Sequence, residues 1–118
     1  MARKGLSEVL VAAVAAGGAR KAEDARVLDL RKVASFTDHF VVLTGGNTRQ
    51  VQAIADGVEE RLRELGQRPA HVEGYAAGEW VLLDYIDFVV HVFLPAKREH
   101  FGLERLWHDA VDVTPRER

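Results

Sequence analysis

Cysteine is absent from this 118-residue chain, so disulfides, thiolate metal ligands and thiol catalysis are all excluded. The absence fits a reducing compartment, and we expect a cytoplasmic protein. Serine is nearly absent too. Ser7 and Ser35 are the only serines, and both occupy positions typical of caps. No combination of serine, histidine and acid can therefore be defended as a catalytic triad.

The chain also lacks a dominant charge and a long apolar run. Its 16 basic and 18 acidic residues give a net charge of −2, which disfavours broad nucleic-acid binding, and we expect no specific DNA partner. No apolar run approaches the roughly 20 residues that a membrane-spanning helix needs. We therefore expect no membrane association.

The N-terminal segment allows two readings. Basic residues followed by the apolar run from Val9 to Ala16 imitate a secretory signal, but Glu8 adjoins that run, and half of it is alanine. Apolar residues at helical spacing favour an amphipathic helix instead, with Ser7 as its cap and Gly17-Gly18 as its end. The residues that set this spacing are Leu6, Val9, Leu10, Ala13 and Val14.

The remaining pattern predicts a mixture of strands and helices. A strand over 25–30, a buried strand over 40–43 and a long helix after Asn47 precede three short strands. Asn47 with Gln50 resembles a capping box, and Gly66 supplies the stop. Helical turns over 98–108 would place Phe101, Leu103, Leu106 and Trp107 inward. We predict one α/β or α+β domain over residues 1–111, with a mixed sheet of about five strands flanked by helices. Residues 112–118 are predicted to form a flexible tail.

The segment from His71 to Leu94 is the most informative part of the chain. It reads as three short strands joined by tight turns, and side chains alternate along each strand. Trp80, Leu82 and Asp84 therefore share one side of the middle strand. An aromatic, an aliphatic and a carboxylate in a row suit a docking surface for a basic protein better than a core. Glu73, Glu79 and Asp87 would extend its acidic rim.

Three constellations carry alternative readings. The loop from Thr44 to Arg49 precedes a helix, but its glycines fit neither phosphate-binding motif, so a tight turn is favoured. Arg49 opposes the helix dipole and could reach an acidic partner. Asp84 and Asp87 invite the alternative of a magnesium-dependent nucleotidyl- or phosphotransferase, although they straddle a turn. His91, inside an apolar strand, is predicted to be a hydrogen-bonded core histidine rather than a metal ligand.

Eight segments of the chain together match the pattern of one protein family. The segments are Lys21-Ala22-Glu23-Asp24, Val27-Leu28-Asp29-Leu30, Thr37-Asp38-His39-Phe40, Thr48-Arg49-Gln50-Val51, His71-Val72-Glu73-Gly74, Glu79-Trp80-Val81-Leu82-Leu83-Asp84-Tyr85, Val89-Val90-His91-Val92-Phe93 and Leu103-Glu104-Arg105-Leu106-Trp107. They closely resemble the ribosomal silencing factor family, RsfS, also called Iojap. The resemblance runs from about Leu6 to Asp109 in the same order and spacing.

This resemblance implies a nucleotidyltransferase-like fold that has lost its catalytic acids, with neither an enzymatic activity nor a cofactor. It implies binding to the fourteenth protein of the large ribosomal subunit. That contact would block joining of the small subunit and repress translation under nutrient limitation. Large-subunit maturation and a homodimer are further implications.

The resemblance also names residues. The partner surface is expected to include Trp80, Leu82, Asp84 and Tyr85, with Glu73, Asp38 and Arg49 as weaker candidates. Relatives often have glycine where this chain has Ile86, so the turn from Tyr85 to Asp87 is expected to differ in shape.

Overall fold

The structure is a computed structural model that describes residues 3–115 and, from residue 8 onward, their side chains. Along the chain the elements are α1 (Arg3–Ala19), β1 (Glu23–Asp29), β2 (His39–Thr44), α2 (Thr48–Glu64), β3 (His71–Glu73), β4 (Trp80–Asp84), β5 (Phe88–Phe93), α3 (Pro95–Phe101), α4 (Leu103–Leu106) and β6 (Val111–Asp112). No helix among these residues is both long and apolar enough to cross a bilayer.

The strands form one mixed sheet in the order β3-β4-β5-β2-β1-β6. The central strands β2 and β5 run parallel, and every other neighbouring pair is antiparallel. Every residue of β2 and β5 is buried, as expected for central strands covered on both faces. The predicted mixed α/β architecture is confirmed.

The sheet has six strands rather than about five, because residues 111–112 pair with the outer edge of β1. The Val113 N–H donates to the Val27 carbonyl at 2.8 Å, and the Thr114 hydroxyl oxygen accepts the Val27 N–H at 2.8 Å. The predicted domain boundary at residue 111 thus falls inside a strand. A strand of two residues is too short to show an alternating pattern, so it could not be predicted from the sequence. Residues 116–118 of the predicted tail lie outside the described residues.

Helices α1 and α2 pack side by side and cover one face of the sheet. Val9, Leu10 and Ala13 of α1 are buried there with the apolar stripe of α2. Helix α1 continues through Gly17-Gly18, contrary to the prediction that it ends there, and Ser7 lies inside it. A Cβ at Gly17 would stand 2.9 Å from a Leu43 methyl. Glycine there allows α1 to approach β2 closely and does not stop the helix.

The start and end of α2 match the prediction. The Asn47 side chain accepts the Gln50 backbone N–H at 2.9 Å, which caps the helix. The Gln50 side chain reaches back to the Gly46 N–H at 2.6 Å and donates to the Lys21 carbonyl at 3.0 Å. Gly66 follows with φ of +83°, as a helix stop requires. The loop from Thr44 to Arg49 therefore caps the N-terminus of α2.

The turn between β4 and β5 is tight and strained. Ile86 has φ of +74°, and the Asp87 N–H donates to the Tyr85 carbonyl at 2.8 Å, so Ile86 is the centre of a γ-turn. A carboxylate oxygen of Asp84 accepts the Ile86 N–H, and the Thr37 hydroxyl donates to the Ile86 carbonyl. These bonds hold a β-branched residue in a conformation that favours glycine.

Replacing Ile86 by glycine should remove this strain. We expect Ile86→Gly to raise the free energy of unfolding by about 0.5–1 kcal/mol, because relief of the left-handed conformation exceeds the entropy that glycine adds to the unfolded chain. Urea unfolding measures the change. Ile86→Ala is the matched control, since it removes the exposed side chain but keeps Cβ. A glycine variant no more stable than the alanine variant would contradict the strain.

Candidate functional site

The face of the sheet opposite α1 and α2 carries four of the residues predicted for the partner surface, namely Glu73, Trp80, Leu82 and Asp84. Glu73 of β3 lies opposite Leu82 of β4, and Leu82 lies opposite His91 of β5. Alternation places Trp80 and Asp84 on the same side as Leu82. We call the surface formed by Glu73, Trp80, Leu82, Asp84 and His91 the Trp80 face. From Trp80 to Asp84 it extends about 13 Å along β4.

Trp80 is half-buried among aromatic rings. Its indole stacks on Phe93 with ring centroids 5.1 Å apart, and the Phe101 ring lies 4.3 Å away. Its indole N–H donates to His91 Nδ1 at 3.1 Å. The prediction that His91 is a hydrogen-bonded core histidine is confirmed. The Trp80 side chain is thus supported by ring contacts with Phe93 and Phe101 and by its hydrogen bond to His91.

The rings continue across the Trp80 face. The His91 ring meets Phe40 edge to face at 4.6 Å, and Phe36 lies 6.0 Å from Phe40 and 5.9 Å from Trp107. Phe36 is 59% exposed and Phe101 is 42% exposed. The sequence predicts that Phe101 points inward, which its exposure contradicts. The sequence gives no signal for Phe36, because a single aromatic in a polar connector carries no periodicity. Leu106, also predicted to be inward, is 65% exposed.

An ion pair fixes the two short helices that border this surface. Two guanidinium nitrogens of Arg98 donate to the two carboxylate oxygens of Glu104, each at 2.9 Å, and a third donates to the Thr44 hydroxyl at 2.6 Å. The hydrogen bond from Arg98 lowers the pKa of Glu104. The bidentate geometry ties α3 and α4 to the end of β2 and thereby places Phe101 over Trp80.

Acidic residues gather at the end of the sheet where β4 stops. The Asp38 N–H donates to the Asp87 carbonyl at 2.9 Å, which brings the connector before β2 next to the β4–β5 turn. Asp84 adjoins this turn and is partly exposed, as is Asp38, and Asp87 is exposed. The neighbouring Asp29 is paired with Arg31, whose hydrogen bond holds the pKa of that carboxyl well below its usual range. The sequence did not reveal that Asp38 and Asp87 meet.

Two predicted residues lie away from this surface. Tyr85 is 6% exposed and belongs to the core beneath the helices, where its ring stacks on Phe88 at 4.8 Å. The grouping of Tyr85 with Trp80 is thus corrected, because one step along the strand turns a side chain to the other face. Arg49 is exposed in the first turn of α2, the helix that covers that other face. Glu73 is exposed and lies on the Trp80 face.

Of the two acids in the transferase alternative, Asp84 uses its side chain to stabilise the β4–β5 turn. Asp84 Oδ1 accepts the Ile86 N–H at 2.8 Å. Within residues 3–115, no group of three or more histidines and acids is arranged to hold a metal ion.

The buried Tyr85 hydroxyl provides a test of its place in the core. It has no hydrogen-bond partner among the described residues, and burial raises its pKa. Tyr85→Phe removes an unpaired buried polar group, so the free energy of unfolding should rise by about 1 kcal/mol. Tyr75→Phe is the matched control, since the exposed Tyr75 hydroxyl donates to Asp56 at 3.1 Å. Loss of stability in Tyr85→Phe greater than that in Tyr75→Phe would contradict the assignment.

The His91 imidazole should make stability depend on pH. Burial lowers the pKa of His91 from 6.5 to about 3. Between these values the unfolded chain binds a proton that the folded chain excludes. The free energy of unfolding should therefore fall as the pH drops below about 6.5, by up to about 1.4 kcal/mol per pH unit. Urea unfolding of wild type and His91→Leu isolates this term, and His108→Gln, at an exposed histidine, is the control. An unchanged slope in His91→Leu would contradict the burial.

Comparison with known proteins agrees with the sequence resemblance. Residues 4–118 match the family model described as ribosomal silencing factor during starvation. A ribosomal silencing factor RsfS of Chromobacterium violaceum is 44% identical over 87 residues, which are 74% of this chain and 71% of that protein. One of Bacillus subtilis is 38% identical over 102 residues, 86% of each chain.

A solved structure extends the agreement to the fold. The crystal structure of a Chromobacterium violaceum protein superposes with a TM-score of 0.84 at 40% identity, and the match covers 86% of this chain and 85% of that one. The chain therefore belongs to the RsfS family of ribosomal silencing factors.

Proposed function

We propose that this protein binds the large ribosomal subunit through the Trp80 face and blocks joining of the small subunit. The partner is the fourteenth protein of the large subunit, and the outcome is repression of translation in the cytoplasm under nutrient limitation. The observation that carries the proposal is a strip of partly exposed apolar side chains ending in carboxylates, on a sheet face that the long helices leave uncovered.

The cover of the sheet explains why this face suits docking. Helices α1 and α2 bury the other face, whereas only short helices and the connector after β1 pack against this one. Trp80 and Leu82 remain partly accessible, with Phe101 exposed beside Trp80 and Phe36 exposed beside Phe40 on the same side of the sheet. A cluster of aromatic and aliphatic side chains rimmed by polar residues is typical of a protein interface.

The charge at the end of this strip favours a basic partner. The backbones of Asp38 and Asp87 are hydrogen-bonded there, next to the turn that Asp84 caps, and Glu73 adds a carboxylate on the neighbouring edge strand. Rim charges of one sign steer a partner of opposite sign and set the register of docking. We leave Tyr85 out of the contact surface because it is buried on the other face.

The proposal assigns no chemistry to the protein. Its relatives are named for a regulatory role, and Asp84 serves as an acceptor within its own turn. A magnesium-dependent transferase would instead show saturable binding of a nucleotide with magnesium in calorimetry. Large-subunit maturation and homodimer formation, both implied by the resemblance, stay predictions that gradient profiles and light scattering can test.

Leu82→Ala tests the docking surface with little damage to the core. Leu82 is only partly buried against the apolar core on this face of the sheet, so its truncation removes few core contacts. Trp80→Ala would also remove three ring contacts. We expect Leu82→Ala to weaken co-sedimentation with purified large subunits about tenfold, the effect of losing roughly 1.4 kcal/mol at an interface. The variant should also restore formation of joined ribosomes from the two subunits.

Matched control variants distinguish an effect at the Trp80 face from a general loss of stability. Leu65→Ala removes the same atoms from an exposed position at the end of α2 and should bind like wild type. Asp84→Asn keeps the acceptor for the Ile86 N–H but removes the charge, so it should mainly slow association at low salt, and Glu60→Gln should not. A folded Leu82→Ala that binds like Leu65→Ala would overturn the surface, and wild type that does not sediment with large subunits would overturn the function.

A further inference from the structure

We infer that His91 is a positioning residue for Trp80, and that the partner surface that receives Trp80 is apolar. The inference rests on the proposed function, because it concerns how the docking anchor is presented. It begins from one contact, the hydrogen bond from Trp80 Nε1–H to His91 Nδ1 at 3.1 Å.

This contact defines the state of the imidazole. Because Nδ1 accepts a hydrogen bond it carries no proton, so the single proton of the neutral ring is on Nε2. His91 is 4% exposed, and burial keeps the ring neutral at cellular pH by lowering its pKa to about 3. Nδ1 is therefore able to accept the hydrogen bond of the Trp80 indole at cellular pH.

His91 itself is held firmly in place. It lies on β5, a central strand whose residues are all buried. Its ring packs edge to face with Phe40 at 4.6 Å and lies parallel to Phe93, with an interplanar angle of 7°. An acceptor fixed in the middle of the sheet can fix the orientation of a half-buried indole on the adjacent strand.

A histidine at this position is costly unless Nδ1 contributes something. Its Nε2 is buried and has no hydrogen-bond partner among the described residues. A leucine or phenylalanine would fill the same apolar core position without burying a polar atom of its own. Within the part of the chain that the structure describes, the bond from Trp80 is the one hydrogen bond that this side chain makes.

The hydrogen bond also determines what the partner meets. The N–H is the only polar group of a tryptophan side chain, and here it points into the protein. Trp80 thus presents only its apolar ring surface, flanked by Phe101. A complementary partner needs an apolar pocket and no hydrogen-bond acceptor for the indole.

Nuclear magnetic resonance of the two indole N–H groups tests the positioning directly, with Trp107→Phe to assign them. We expect the Trp80 N–H of wild type to exchange with water at least about tenfold more slowly than a free indole. His91→Leu should abolish this protection. His91→Asn should restore part of it, because its side-chain oxygen can accept at the place of Nδ1. Unchanged protection in His91→Leu would overturn the inference.

Binding to purified large subunits tests the consequence. We expect His91→Leu to weaken binding about tenfold and His91→Asn to stay within about threefold of wild type. His91→Leu should add nothing to Trp80→Ala, since a positioning residue acts only through the residue that it positions. A further loss in that double variant would indicate general damage and would overturn the assignment.

A second double variant tests the apolar pocket. Trp80→Phe with His91→Leu removes donor and acceptor together, so no polar group is left unpaired. It should bind more tightly than His91→Leu alone. Binding as weak as that of Trp80→Ala would show that the partner requires the indole N–H.

The indole measurements and the binding measurements can fail independently of each other. Wild type that fails to bind large subunits would overturn the function, while the indole measurements would still decide the role of His91. If His91→Leu does not fold, the imidazole ¹⁵N shifts of wild type decide the tautomer, and His91→Asn decides binding. A protonated Nδ1 would overturn the inference, and an unprotonated Nδ1 with near-normal binding of His91→Asn would support it.

Discussion

The parallel pairing of β2 with β5 is the constraint on which the rest of the structure depends. Parallel neighbours cannot be joined by a tight turn, so the chain between them must leave the sheet and return. The intervening segment contains α2, which covers one face, and the β3–β4 hairpin, which extends the sheet beyond β5. Trp80 thereby becomes a neighbour of Phe93 and His91.

The same pairing creates the acidic end of the Trp80 face. Because β2 and β5 run in one direction, the residues that precede them meet at one edge of the sheet. Asp38 precedes β2 and Asp87 precedes β5, and the turn that carries Asp87 also holds Asp84. Acidic residues that are far apart in the chain thus lie at one end of this surface, and the aromatic rings lie at the other end.

Stability and the proposed recognition depend on the same contacts around Trp80. Phe93, on which the indole stacks, is buried in the core on this side of the sheet, and Arg98 fixes the short helices that place Phe101 over Trp80. In the proposed docking role, a Trp80 side chain supported this way is already oriented before a partner arrives, which reduces the cost of ordering on binding. Truncation of Trp80 is therefore expected to affect folding as well as the proposed binding, whereas truncation of Leu82 is expected to affect mainly the binding.

Local pattern in the sequence determined the long helix with its Asn47 cap, the three strands after His71, and the shared side of Trp80, Leu82 and Asp84, because alternation and capping act between near neighbours. The resemblance supplied the family. Only the tertiary structure decided that Tyr85 is core, that β6 closes the sheet edge, that α1 runs through Gly17, and that His91 holds the Trp80 indole. These features depend on contacts between residues distant in the chain, which leave no periodic trace in the sequence.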